Sequence, residues 1–154
     1  FRGIELSYSQ RLGFFDNEYL RAFSVFGTYS QFNVTPRPRN GTRFFPRAAT
    51  GGVTWSLGKF YFQVNGTWTD ETFVGEDDKV SPTAALYPRD EAYFKPRTIL
   101  FMNARYKLTD TFSVFVSGDR AYDSGKIWFY KSDGRVRQIE NYGSQWSVGV
   151  KADF

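Results

Sequence analysis

Seven segments of this chain alternate apolar and polar residues with a period of two, and the links between them are short and long in strict turn. A period of two marks a strand with one apolar and one polar face. The expected strands are Gly3 to Leu12, Tyr19 to Gln31, Ala49 to Leu57, Lys59 to Thr69, Thr98 to Leu108, Thr111 to Asp119 and Tyr142 to Phe154. Short links fall at residues 13–18, around Gly58 and at Thr109–Asp110, whereas long ones fill 32–48, 70–97 and 120–141. A transmembrane barrel segregates its connections in this way, with tight turns on the periplasmic side and long loops outside. Soluble sandwiches and barrels have no need to do so. The expected fold class is therefore all-β: an antiparallel transmembrane β-barrel segment of about seven strands.

Alternation also assigns the faces. Phe60, Phe62, Val64, Gly66 and Trp68 stand opposite Lys59, Tyr61, Gln63, Asn65 and Thr67. Ile4, Leu6 and Tyr8 oppose Glu5, Ser7, Ser9 and Arg11, while Leu100, Met102, Ala104, Tyr106 and Leu108 oppose Asn103, Arg105 and Lys107. In the last strand Tyr142, Trp146, Val148, Val150, Ala152 and Phe154 share the apolar side. The second strand turns Phe23, Val25, Gly27 and Tyr29 outward, which leaves Phe26 inside and puts Arg21 outside, snorkelling to water near the turn end. Phe101 and Phe115 also point inward, where they pack on other lumen-side residues or on a plug. Seven is an odd number, a closed bacterial barrel has an even one, and open edges in lipid leave backbone groups unpaired. The chain also opens at Phe1 inside an expected strand, which predicts a longer polypeptide that supplies the remaining strands.

Composition narrows the function classes. Among 154 residues stand 17 Phe, 10 Tyr and 4 Trp, interleaved with Ser, Thr, Gln, Asn and 14 Gly rather than gathered into continuous apolar runs. No apolar run reaches the length of a membrane-spanning helix. With no Cys and no His, disulfides, thiolate chemistry, a His or Cys zinc site and the commonest general base are all excluded. The net charge of +4 does not call for a nucleic-acid partner. Nothing singles out an enzyme, and no cofactor is implied.

Two stretches carry a family resemblance. The ending, from Tyr142-Gly143-Ser144-Gln145-Trp146 through Val148-Gly149-Val150-Lys151-Ala152-Asp153-Phe154, resembles the last strand of a TonB-dependent outer-membrane receptor. The opening, Arg2-Gly3-Ile4-Glu5-Leu6, is similar to a strand from the later part of that family's barrel. Phe45-Pro46-Arg47-Ala48-Ala49 and Tyr106-Lys107-Leu108-Thr109-Asp110-Thr111-Phe112 resemble its membrane re-entry and its final periplasmic hairpin. The segment Gly118-Asp119-Arg120-Ala121-Tyr122-Asp123 departs from the family pattern and keeps only a closing aromatic-Asp pair.

The resemblance covers residues 1–154 as the C-terminal part of a 22-stranded barrel. It implies a bacterial outer-membrane location among lipid and lipopolysaccharide. It also implies import of a siderophore or other scarce nutrient, with energy from the TonB system acting through a plug and a TonB box upstream. Phe154 would be read by the barrel-assembly machinery, with Trp146, Val148, Val150 and Ala152 on the same face. A passive porin, a translocator barrel and an extracellular β-rich adhesin or surface module are the rival readings.

Binding is expected in the long loops. The first holds Arg37, Arg39, Arg43 and Arg47 among Pro36, Pro38 and Pro46 with no acid between them. Guanidinium groups suit carboxylate or phosphate, so the cluster fits an anionic ligand or neighbouring lipopolysaccharide phosphates, as well as a plain solvated loop. The second carries Glu76-Asp77-Asp78 with Asp70, Glu71, Asp90 and Glu91 nearby. These carboxylates lack the spacing and the fixed glycine of a calcium-binding hand, so a charged exposed loop accounts for them and no metal site is assigned.

Overall fold

The computed structural model describes residues 2–34, 45–77 and 90–153, with backbone alone at 76, 77 and 90. The chain is all-β and antiparallel, and its strands form two sheets. The larger sheet contains β1 (Arg2–Arg11), β2 (Phe23–Asn33), β3 (Arg47–Leu57), β4 (Phe60–Thr69), β7 (Arg97–Lys107), β8 (Phe112–Asp123) and β11 (Gln145–Ala152), in that spatial order. The smaller sheet contains β5 (Thr72–Asp77), β6 (Asp90–Phe94), β9 (Lys126–Tyr130) and β10 (Val136–Glu140), in the order β10-β9-β6-β5. These four are onward runs of β4, β7, β8 and β11. The smaller sheet thus grows from the long-link end of the larger one.

The break between the sheets has local causes. Pro96, between β6 and β7, has no N–H to give a ladder. Gly125 (φ 79°), between β8 and β9, and Gly143 (φ 68°), between β10 and β11, sit in the left-handed region that a side chain resists. Interruptions therefore fall at one level in neighbouring strands, and pairing restarts beyond them.

At the opposite end the connections are tight. Leu57 pairs with Phe60 across Gly58 (φ 55°) and Lys59. Between β7 and β8 the Thr109 hydroxyl oxygen accepts from the amides of Thr111 and Phe112 at 3.2 and 2.9 Å. Residues 18–21 form a helical turn, α1 (Glu18–Arg21), where alternation predicts that Tyr19 to Arg21 begin the second strand. The Asn17 side chain caps it by accepting from the amides of Tyr19 and Leu20, with Glu18 in the first turn and Arg21 in the last, matching the helix dipole. Arg21 accordingly belongs to α1 and not to the outward face of a strand. Trp55 Nε1 donates to the Tyr19 carbonyl at 3.2 Å and ties this turn to β3.

Cross-strand register places the seven expected strands and their faces. Phe23, Trp55, Phe62, Ala104, Val116 and Val148 form one row across the larger sheet. Val25, Val53, Val64, Met102, Gly118 and Trp146 form another on the same face. The opposite face has the row Arg11, Ser24, Thr54, Gln63, Asn103, Ser117 and Ser147. Phe26, Phe101 and Phe115 lie on this polar face, as alternation requires. The ring of Phe26 lies over Gly52 and that of Phe115 over Gly149, where a Cβ would stand 2.6 and 2.8 Å from ring carbons.

The long links after β4 and β8 differ from expectation, because both carry paired strands rather than irregular loop. The core sits there too. Among the described residues the buried apolar side chains are Ala92, Tyr93, Phe94 and Phe129, all in the smaller sheet. No helix among the described residues is long and apolar enough to cross a membrane.

Candidate functional site

Where the polar face of the larger sheet meets the smaller one, a cleft of about 370 Å³ opens. Thr67, Thr69, Arg97 and Ile99 contribute from the larger sheet, and Thr72, Phe94, Lys126 and Glu140 from the smaller. Phe45, Lys95, Arg120 and Tyr142 complete the lining. Tyr142, expected on the apolar face of the last strand, lies instead in the link before β11. The left-handed Gly143 that follows ends the alternation there and lets Tyr142 line the cleft.

Its ionic groups are tied together in two sets. Arg97 donates from Nε and one Nη to the two oxygens of Asp123, at 2.9 and 2.6 Å, while the Gly125 amide donates to Asp123 Oδ1 at 3.0 Å. The Asp123 side chain is 1% exposed, so the fork-to-fork pair and the amide are what keep its charge tenable there. In the second set Glu140 accepts from the Tyr142 hydroxyl at 2.7 Å, from Lys126 at 3.2 Å and from Gln138 at 3.0 Å. The Tyr142 and Lys126 bonds hold the Glu140 carboxyl below its ordinary range. The same bond pushes the Tyr142 hydroxyl up, with the charges of Arg120 and Arg97 pulling it the other way.

Arg120 has an unusual backbone. Its φ of 57° makes it the non-glycine residue in the left-handed region among those described. It sits in a bulge, where Leu100 and Met102 pair with Tyr122 and Gly118. The bulge re-aims the side chain, a recurrent use of such irregularities. The guanidinium lies 5.1 Å from the centroid of the Tyr142 ring.

The other expected site residues fall elsewhere. Arg47 opens β3, and its guanidinium meets Asp70 at 2.6 Å, so an acid from the link after β4 answers the cluster at that position. Arg37, Arg39 and Arg43 lie outside the described residues. Trp146, Val148, Val150 and Ala152 share the apolar face of β11, whose other edge has no partner among the described residues; Phe154 lies outside them. Of the acidic cluster, Asp70 pairs with Arg47, Glu71 with Lys131, and Glu91 accepts from Tyr93 at 2.6 Å. The side chains of Glu76, Asp77, Asp78 and Asp90 lie outside the described residues, among which no group of acids is placed to hold a metal.

Sequence reasoning passed over Lys95, Arg97, Arg120, Lys126, Glu140 and Tyr142 as site residues. Their signal was present: each flanks a strand break marked by Pro96, Gly125 or Gly143, or occupies the bulge itself. No protein-family model, no curated protein and no solved structure matches this chain.

Proposed function

We propose that this chain is a wall segment of a transmembrane β-barrel in a bacterial outer membrane, part of an energy-coupled receptor that imports a scarce nutrient. The observation that carries the membrane half is the bare apolar face of the larger sheet. Ile4, Leu6, Val148 and Val150 are 64, 63, 77 and 66% exposed, at both edges of a sheet whose apolar face no other described residue covers. A hydrocarbon surround removes the cost of that exposure, and the polar face then lines an aqueous interior.

Strand length and direction support the same reading. Six of the seven strands have 10 to 12 residues, enough to cross a bilayer when tilted. Every neighbouring pair is antiparallel, so β1 and β11 at the two edges run in the same direction. Antiparallel closure therefore needs an odd number of further strands, a condition a 22-stranded barrel meets. The receptor half rests on the terminal-strand resemblance together with the cleft on the polar face. In this reading a plug and TonB box lie upstream, and the β11 edge serves barrel assembly.

Tryptophan quenching tests the membrane half. Trp55, Trp68 and Trp146 lie on the apolar face, and Trp128 in the smaller sheet. In vesicles with brominated acyl chains, single-tryptophan versions of the complete polypeptide should be quenched strongly at the first three sites and weakly at Trp128. A polypeptide that folds as a monodisperse species in buffer without detergent overturns the reading and favours an adhesin. Ligand uptake independent of an energised inner membrane replaces the receptor by a porin.

A further inference from the structure

We propose that the connection between β1 and β2, residues 12–22, is an anchor that enters the headgroup region of the periplasmic leaflet; this rests on the membrane reading of the larger sheet. The first sign is what the connection exposes. Phe14, Phe15, Tyr19 and Leu20 are all exposed, with the Phe14 and Phe15 ring centroids 4.5 Å apart. The other two links at this end carry polar tips, Gly58-Lys59 and Thr109-Asp110. Water gives a turn no reason to present bulky apolar side chains, and a contiguous exposed patch of them marks a contact surface.

The backbone holds this patch out on a fixed frame. Asn17 caps α1, the Leu12 amide donates to the Phe23 carbonyl at 2.9 Å, and the Ser56 amide donates to the Ala22 carbonyl at 3.0 Å.

Position gives a second, independent sign and names the occupant. Trp55 stands on the apolar face in the row with Phe23, Phe62 and Ala104, and its Nε1 donates to the Tyr19 carbonyl at 3.2 Å. That bond brings α1 to the apolar side of β3, where the turn continues a belt of rings. Phe23 lies 6.3 Å from Trp55, and Phe60 4.6 Å from Tyr106. Aromatic rings favour the headgroup level of a bilayer, and apolar side chains of a segment lying there reach into the acyl boundary. Asp16, Glu18 and Arg21 leave the turn close to neutral. Burial of apolar surface, and not attraction to acidic lipid, therefore carries the contact.

The test uses the complete polypeptide in a version otherwise free of cysteine, folded into vesicles of zwitterionic phosphatidylcholine and labelled with a nitroxide at one introduced cysteine. Relaxation of the label by oxygen, which concentrates in lipid, is compared with relaxation by a water-soluble nickel complex. At Phe14→Cys and Leu20→Cys oxygen should be the stronger by about threefold or more, and high salt should not change the ratio. At Asp110→Cys, in the turn between β7 and β8, the nickel complex should be the stronger. The proposal is overturned if the nickel complex is the stronger at Phe14→Cys or at Leu20→Cys. It is equally overturned if neither reagent reaches those labels, because protein then covers the turn. Quenching of Trp68 and Trp146 by brominated acyl chains reads the membrane half separately. A polypeptide quenched at both, yet with its labels at 14 and 20 in water, loses the anchor alone. One quenched at neither loses the membrane reading and the anchor with it.

Discussion

The two sheets are built from overlapping lengths of chain, yet they treat their aromatic residues in opposite ways. In the larger sheet Phe60, Phe62 and Trp146 stand on an uncovered face at 55, 38 and 52% exposure. In the smaller one Tyr93, Phe94 and Phe129 are each below 10%. The covering there comes from charged side chains. Lys126 lies 4.7 Å from the Phe94 ring centroid, Lys131 5.3 Å from Tyr93, and Arg137 4.9 Å from Trp128. Long cationic stems shield apolar rings while their heads stay wet, and the charge is attracted to the ring face. The smaller sheet therefore carries its own solution to contact with water, and the larger sheet has none on one face. On the proposed reading, four strands leave hydrocarbon and enter water at the level of Pro96, Gly125 and Gly143, and their side chains change strategy there.

The contrast breaks most sharply at Phe129. Phe129→Ala removes a buried ring that Tyr93, Lys95 and Lys131 surround, and should cost about 3–5 kcal/mol within the smaller sheet. Amide exchange should then rise in β5, β6, β9 and β10 while the larger sheet keeps its protection. Loss of protection in both sheets together would show that they are one cooperative unit. Next in size is Val64→Arg, at mid-strand on the apolar face. A guanidinium facing hydrocarbon costs about 2–4 kcal/mol, readable as a lower urea midpoint for vesicle-folded protein. Gln63→Arg, one residue back and on the polar face, should stay within about 0.5 kcal/mol of the parent. Equal effects at 63 and 64 would remove the distinction between the faces.

Much of the larger sheet was legible because its physics is local. Period-two alternation fixes which face each residue takes, and turn residues such as Gly58 and Thr109 fix where strands end. Register then follows, since a one-residue slip would reverse every face. The smaller sheet reads as loop in the sequence because its strands have only five or six residues and their aromatics fall on both faces. A signal for it existed. Ile127-Trp128-Phe129-Tyr130 followed by Asp133-Gly134 is an aromatic run closed by a hairpin turn dipeptide. Gly134 takes φ 71° and its amide donates to the Tyr130 carbonyl at 2.9 Å. Alternation starts the second strand too early because Asn17 acts as a helix cap, a role that periodicity does not reveal. The cleft was less legible still, since Arg97 and Asp123 are 26 positions apart and meet only once β7 and β8 pair.

A smaller effect probes how closely β3 and β4 are held on the polar face. At Gly52 an added Cβ would meet the Asn65 side-chain oxygen, the Phe26 ring at 2.6 Å and the Val64 carbonyl oxygen at 2.8 Å. The two side chains can turn away but the carbonyl belongs to the ladder, so Gly52→Ala should cost about 1–3 kcal/mol in the same urea titration. A neutral result would mean that the two strands shift at this level to admit a methyl group, and that the ladder does not fix their spacing there.

The smallest expected effect is pH-dependent and confined to the smaller sheet. The folded Glu140 carboxyl titrates below its ordinary 4.5, because Tyr142 and Lys126 favour its charged form. Its contribution is therefore complete above the ordinary value and disappears as pH falls through the lowered folded one. Tyr142 has the opposite sign: its hydroxyl titrates above the ordinary 10.0, so its contribution is complete below that value and is lost as pH rises through the folded one. Between these limits the Glu140–Tyr142 bond joins β10 to the link before β11. Protection of the β10 amides, measured relative to the intrinsic exchange rate at each pH, should fall below pH 4.5 and again above pH 10, with the protection of the β1–β4 amides unaffected in both ranges. Glu140→Gln should abolish the acid limb while keeping an acceptor for Tyr142. If the acid limb persists in that variant, the response comes from another carboxylate, and Glu140 is not the group that couples the rim of the cleft to the smaller sheet.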